Sequence, residues 1–213
     1  MHIFDFLIQT LMLPFLNFSY HSIFPNYGIA IILLTLFVKL IFYPLTKKQF
    51  KAMKLNQEMQ PKLKELQEKY KKQPEVLQKK MFEFWKEQGI NPLDGCLPMV
   101  VQLPFFIAIF LTMQSPSFHT LISTPGINPG FLPFWLPNLG LADKTFILPI
   151  IIGISTWWSQ KSMTMDPMQA RIFMFMPILM VVISWKMPSG VLLYWATSTI
   201  ISTIQQMWIM KRH

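Results

Sequence analysis

Three things are scarce in this chain, and each scarcity narrows what it can be. There is one cysteine, Cys96, in 213 residues, so no internal disulfide can form. Cys96 itself reads as a small apolar residue at the entrance of a membrane span. Charged residues make up 14% of the sequence and hydrophobic ones 52%, against about 25% charged in soluble domains. That balance excludes an ordinary soluble domain and describes a multi-spanning membrane protein. Acids are scarcest: ten Asp and Glu face nineteen Lys and Arg, for a net charge of +9.

The acids are confined to Asp5, the stretch from Glu58 to Asp94, Asp143 and Asp166. None lies inside a long apolar run, so the intramembrane carboxylate that a proton-coupled transporter needs is missing. The four histidines, His2, His21, His119 and His213, sit at ends and in loops without ligand spacing, and no metal site is expected. There is no glycine-rich phosphate loop and no Ser–His pair in a plausible arrangement. The expectation is a protein that is not an enzyme and carries no cofactor.

What the chain does have is long apolar runs. Residues 24–45, 96–114, 146–163, 170–187 and 190–210 each have the length and composition of a span. The fold class expected is an all-α integral membrane protein of five transmembrane helices, with a cytosolic helical hairpin over 46–95 and an N-terminal interfacial helix over 1–23. An outer loop over 115–145 and a cytosolic turn over 164–169 complete it. Residues 1–23 are apolar but broken by Asp5, Pro14 and Asn17. They lack the basic start and small-residue cleavage site of a signal peptide, which favours a helix on the outer surface over a sixth span.

Orientation follows the basic residues. Twelve of the nineteen Lys and Arg lie between Lys47 and Lys86, and none precedes Lys39. The positive-inside rule puts 46–95 in the cytosol, the N-terminus outside and Lys211-Arg212 inside. Lys186 falls near an outer end, from which its stem can reach the headgroups. Seven acids are mixed among the twelve lysines of the cytosolic segment. This mixture points away from nucleic-acid binding and toward a surface near anionic lipid, a ribosome or a substrate.

Within that segment Met59, Leu63, Leu66 and Tyr70, and then Leu77, Met81 and Phe84, recur at helical spacing. Gln73-Pro74-Glu75 between them is a helix stop and restart, giving two antiparallel helices. Pro61 is expected to kink or fray the first of them. A solvated helical linker is the plainer alternative. Gly89-Ile-Asn-Pro-Leu-Asp-Gly95 reads as a turn cluster, and Met187-Pro-Ser-Gly190 as a very short outer turn. The five prolines of 115–145, with Trp135 as an anchor, suit a loop on the outer interface.

Lys39 is the most informative single residue. It lies within the apolar run Tyr27–Leu45, where a cation costs roughly 3 kcal/mol on insertion scales. Leu45 is about 9–10 Å further along the helix, so a snorkelling lysine is one reading. The other rests on its neighbours: Gly28, Thr35, Lys39, Tyr43 and Thr46 share one helical face, which suggests a hydrated interior surface. Hydroxyls and amides gather on the cytosolic halves of the other spans. The candidate groove residues are Lys39, Thr35, Gln102, Ser155, Gln160, Trp195, Ser198, Thr199 and Ser202. Interhelical hydrogen-bond glue is the alternative for any one of them. Seven of sixteen methionines fall between Met163 and Met187, suiting either a surface that accepts varied apolar segments or ordinary core filling.

Four stretches carry a resemblance: Phe37-Val-Lys-Leu-Ile-Phe-Tyr-Pro-Leu-Thr46, Asn91-Pro-Leu-Asp-Gly-Cys-Leu-Pro98, Asp166-Pro-Met-Gln169 and Met187-Pro-Ser-Gly-Val-Leu-Leu-Tyr194. In this order, from about Ile23 to Met210, the chain resembles the YidC family of membrane-protein insertases. The resemblance implies a hydrophilic groove, open to cytosol and lipid, closed outside and holding one positive charge. It implies nascent single-span and small membrane proteins as clients, membrane lipids as surroundings, and the ribosome and Sec translocon as partners. It also implies a bacterial plasma (inner) membrane location. The family usually carries Arg where this chain has Lys39; lysine keeps the point charge without the rigid fork of donors. A small polar-solute channel or transporter, and a membrane-anchored scaffold, are the rival readings.

Overall fold

The computed structural model describes residues 2–89, 97–161 and 174–211. Among them the secondary structure is helical, with one isolated bridge between Ala142 and Pro188 and no strand. The turn cluster 89–95 beyond Gly89, Cys96, the turn 164–169 and Arg171 lie outside the described residues.

The chain opens with a continuous helical stretch, α1 (His2–Phe6), a π-helical turn (Leu7–Met12) and α2 (Leu13–Ser22). Ile8, Met12, Leu13, Leu16 and Tyr20 form its buried face. Polar Asp5, Gln9, Thr10 and Asn17 are exposed. α3 (Tyr27–Ile41) follows after a short turn, started by Asn26, whose side chain accepts from the Ile29 amide at 3.0 Å. Tyr20 stacks on Tyr27 at 4.5 Å and Phe15 on Phe37 at 5.2 Å. Successive contacts of this kind, moving apart from the turn in both directions, are those of antiparallel neighbours.

α3 ends where Phe42 leaves helical geometry at ψ 2°. Pro44, in the first turn of α4 (Tyr43–Lys69), suits a restart because a first-turn residue has no intrahelical bond to donate. The two helices meet at 66°. α4 continues through Pro61 as a helix. Pro61 is exposed, so water can satisfy the backbone left open by its missing N–H. α5 (Pro74–Glu87) runs back along α4 and has no buried residue. On it, Lys80 and Glu83 form an ion pair at 2.7 Å. Their hydrogen bond, reinforced by charge attraction, holds the Glu83 carboxyl below its ordinary range and pushes the Lys80 ammonium above its own.

α6 (Leu97–Gln114) turns through 56° into a short helix, α7 (Pro116–Ser123), capped by Ser115. α8 (Ile147–Lys161), α9 (Met176–Ser184) and α10 (Ser189–Lys211) complete the bundle. Among the described residues no single helix is long and apolar enough to cross a membrane. Two bent pairs reach that length and composition only when taken together, α3 with α4 and Val101–Gln114 with α7.

One core joins the N-terminal helices, α3, α6, α8 and α10, with Tyr27, Phe118, Leu34, Ile109 and Tyr194 among its fully enclosed members. The 115–145 segment lies over one end of it and is tied down by hydrogen bonds. Asn26 Nδ2 donates to the Phe131 carbonyl at 2.7 Å, and Ser189 N to the Leu141 carbonyl at 2.7 Å. Gly28 permits this closure: a Cβ there would run into Phe131. Asp143 is buried and accepts from Thr145 N, Thr145 Oγ1 and Leu148 N, fixing the start of α8. Thr145 Oγ1 in turn accepts from the Trp135 indole at 2.9 Å.

Candidate functional site

Lys39 stands in the last turn of α3, where the helix faces both α6 and α10. Its Nζ donates to Gln102 Oε1 on α6 at 3.1 Å and to Ser202 Oγ on α10 at 2.7 Å. Ser198 Oγ donates to the same Gln102 Oε1 at 3.2 Å, and Gln102 Nε2 donates to the Tyr194 hydroxyl. The α10 members Tyr194, Ser198 and Ser202 are spaced four and four, which sets them on one face. Three helices are thus cross-linked around one ammonium group through five side chains.

Every partner in the set is neutral. An ammonium has three N–H donors, and among the described residues two are taken. Gln102 Oε1 accepts two bonds and so uses both lone pairs. The buried Asp143 carboxylate is committed to the start of α8, and the ion pair among the described residues is Lys80–Glu83, on the hairpin. Among the described residues Lys39 is therefore held in position by dipoles, with no carboxylate bonded to it and one donor to spare.

Of the residues singled out from the sequence, Lys39, Gln102, Ser198 and Ser202 come together here. Thr35 does not join them. It is fully buried, and its Oγ1 donates to the Ile31 carbonyl of its own helix at 2.7 Å. The face from Gly28 to Thr46 is accordingly polar toward the site only at its C-terminal end, since Gly28 backs onto Phe131 of the 115–145 segment. Trp195 is half-buried and packs edge-on against Phe106 of α6 at 5.1 Å. Thr199 uses its backbone carbonyl to accept from Thr203 Oγ1 at 2.8 Å. Ser155 and Gln160, on α8, are half-buried, and no hydrogen bond between described residues joins them to Lys39. Tyr194 is the member that composition-based reading passed over. Its four-residue spacing from Ser198 was the available signal.

With this geometry in view, comparisons with known proteins are informative. The profile of the 60Kd inner membrane protein family matches residues 18–213. A membrane protein insertase YidC of Francisella philomiragia is 43% identical over 195 residues, which are 91% of this chain and 34% of that protein. The corresponding protein of Francisella tularensis subsp. novicida is 41% identical over the same length. The chain thus spans about a third of the length of these curated relatives. Among solved structures, the crystal structure of an active YidC insertase with its first transmembrane domain resolved is similar at a TM-score of 0.72 and 26% identity. The match covers 94% of this chain and 45% of that one. With a family profile covering nearly all of it and relatives above 40% identity, the chain belongs to the 60Kd inner membrane protein family, that of the YidC membrane-protein insertases.

Proposed function

We propose that this chain inserts small membrane proteins into the bacterial inner membrane. It moves a short hydrophilic tail of the client across through a hydrated groove holding the single charge of Lys39, and releases the apolar segment into lipid. The carrying observation is an ammonium among neutral partners at the junction of three helices. A client tail bearing a carboxylate must leave water for a less polar path, which is costly for an unpaired charge. An uncancelled cation near the middle of that path lowers the cost by attraction. The apolar segment then leaves sideways, driven by its own burial at roughly 25 cal/mol per Å², and no nucleotide is needed.

The same reading takes residues 24–45, 96–114, 146–163, 170–187 and 190–210 as the five spans. It places the 46–95 hairpin and the C-terminus in the cytosol, and residues 1–23 at the outer face. The apolar exposure of α9 supports a lipid setting: Phe175, Ile178, Val182 and Trp185 are each 60–63% exposed, which water would not tolerate as one patch. The hairpin, with its mixed charges and the exposed apolar residues Val76 and Phe82, serves as a docking surface for the ribosome or the Sec translocon. Ser155 and Gln160 of α8, with Thr199 and Trp195 of α10, line the groove beyond the Lys39 cluster. The test is reconstitution. Vesicles containing this chain alone should insert a single-span client, and a photo-reactive residue at position 102 or 202 should capture the client's tail in transit. Equal insertion by empty vesicles sinks the proposal.

A further inference from the structure

The α10 stripe that carries Tyr194, Ser198 and Ser202 does not stop there. One more four-residue step reaches Gln206, so the stripe runs for about 18 Å along the helix. Its first three members are hydrogen-bonded to the Lys39 cluster. The fourth is not. Gln206 is 2% exposed, and its Nε2 has no partner among the described residues. Gln49, in the second turn of α4, is 4% exposed and its Nε2 is likewise unpartnered, as is the buried Oε1 of Gln205. Beside them Phe50 and Met53 of α4 close onto Ile209 of α10 as a separate small apolar cluster. Buried amides without partners are costly, and native structures keep few of them. Three such atoms lie along the contact of α4 with α10, beside the Phe50–Met53–Ile209 cluster, unpartnered among the described residues.

We propose that Gln49, Gln205 and Gln206 form a second binding site, an entry station for the client's polypeptide backbone, covered by the first turns of α4. The ligand chemistry follows from the atoms left open. Two N–H donors and one carbonyl acceptor complement the C=O and N–H of an extended peptide, which every tail offers whatever its side chains. When α4 lifts, the Phe50–Met53–Ile209 cluster opens and the amides bond peptide groups. Lys39, one to two turns deeper along the same stripe, then meets any acid the tail carries. The inference rests on the insertase reading and adds to it a recognition step that is independent of tail charge.

The test uses the full chain in detergent micelles and a fluorescein-labelled, uncharged Gly/Ser peptide of tail length, so that Lys39 has no acid to attract. Gln49→Leu with Gln206→Leu should weaken peptide binding about tenfold, the scale of a net hydrogen bond or two. It should leave the melting temperature unchanged or raised, because unpaired amides are removed. The N-methylated peptide, which has no backbone N–H, should bind wild type with a similar loss. A Phe50→Cys, Ile209→Cys disulfide, made in a Cys96→Ser background, should abolish binding until reductant is added. Equal binding by wild type and the leucine pair would mean that the amides hold water only. A melting temperature that falls with affinity would mean that they are structural. Unimpaired binding by the oxidised pair would remove the gate. Each of these overturns the proposal. Client insertion into vesicles is measured separately, so a wild type that binds peptide through these amides yet inserts nothing strikes only at the insertase reading.

Discussion

Replacing Lys39 by alanine should cost insertion in proportion to the acid in the client's tail. The cluster survives the change: Ser198 still donates to Gln102 Oε1 and Gln102 Nε2 still donates to Tyr194. Removing the lysine frees one Gln102 lone pair and the Ser202 hydroxyl, both able to bond water, so folding should be little affected. The electrostatic term is larger. A carboxylate drawn to about 4 Å from Nζ gains ~1 kcal/mol in water and ~4 kcal/mol at the effective dielectric of a protein surface. The hydrated groove of the proposed reading lies between, near ~2 kcal/mol, which is about thirty-fold in rate. The assay is the initial rate of protease-protected insertion into vesicles for one client whose tail carries zero, one or two Asp. Lys39→Ala should match wild type for the neutral tail, fall about thirty-fold for one Asp, and fall further but less than multiplicatively for two, since the second acid sits farther away and is screened over a Debye length of about 10 Å. Lys39→Arg should keep the rate and Lys39→Glu should do worst. A defect that is the same for all three tails would refute the electrostatic role and leave Lys39 as a snorkelling anchor or a hydration site.

Gln102→Leu should be the most damaging change in the cluster for stability, because it strands the Tyr194 hydroxyl, 2% exposed, along with Ser198; about 2–4 kcal/mol is expected, read as a lowered melting temperature in micelles. Asp143→Ala should remove three bonds at the start of α8 and cost about 2–3 kcal/mol, with increased hydrogen exchange at Leu148 as its local signature. On the hairpin, the depressed Glu83 carboxyl contributes stability that is present above its ordinary value of 4.5 and is lost as pH falls through its lower folded value. The raised Lys80 contribution holds below 10.5 and is lost only above it. Exchange protection of α5 should therefore be flat across neutral pH and drop in acid, and Glu83→Gln should remove the part of that drop owed to this pair.

The helical class was legible because apolar run length and the 3.6-residue period are properties of the sequence alone. So was the break at Gln73-Pro74, where a proline that cannot continue one helix can begin the next. Two kinds of feature were not. Pro61 looked able to fray the helix because the sequence does not say which side of a helix faces water; on an exposed side the lost N–H costs little, and the helix runs on. Thr35 looked like a groove residue because its spacing to Lys39 is right, yet a buried threonine in a helix can satisfy itself on its own backbone, as it does at Ile31. Spacing assigns a face; it cannot say whether the polar atom on that face is already spent. α7 was hidden among the prolines of 115–145, although Ser115-Pro116 is a good helix start.

The choice of partners around Lys39 carries the functional argument further than the presence of the lysine does. A carboxylate at 2.7 Å would have fixed the ammonium more tightly than Ser202 does, but it would also have cancelled the field that, on the proposed reading, an incoming tail feels. Among the described residues, glutamine and serine fix the position through dipoles and bring no opposing charge. The arrangement also explains how lysine can stand where a guanidinium is usual in the family. The rigid fork of arginine orients itself on a planar partner, whereas here Gln102 and Ser202, each anchored to a different helix, supply the orientation from outside. On the proposed reading the restraint has been moved from the cation to its neighbours. A Gln102→Glu variant, which keeps the shape and adds the cancelling charge, should then hold Lys39 in place and abolish the preference for acidic tails. Retention of that preference, with one Asp still accelerated over none, would mean that the uncancelled charge is not what the client detects.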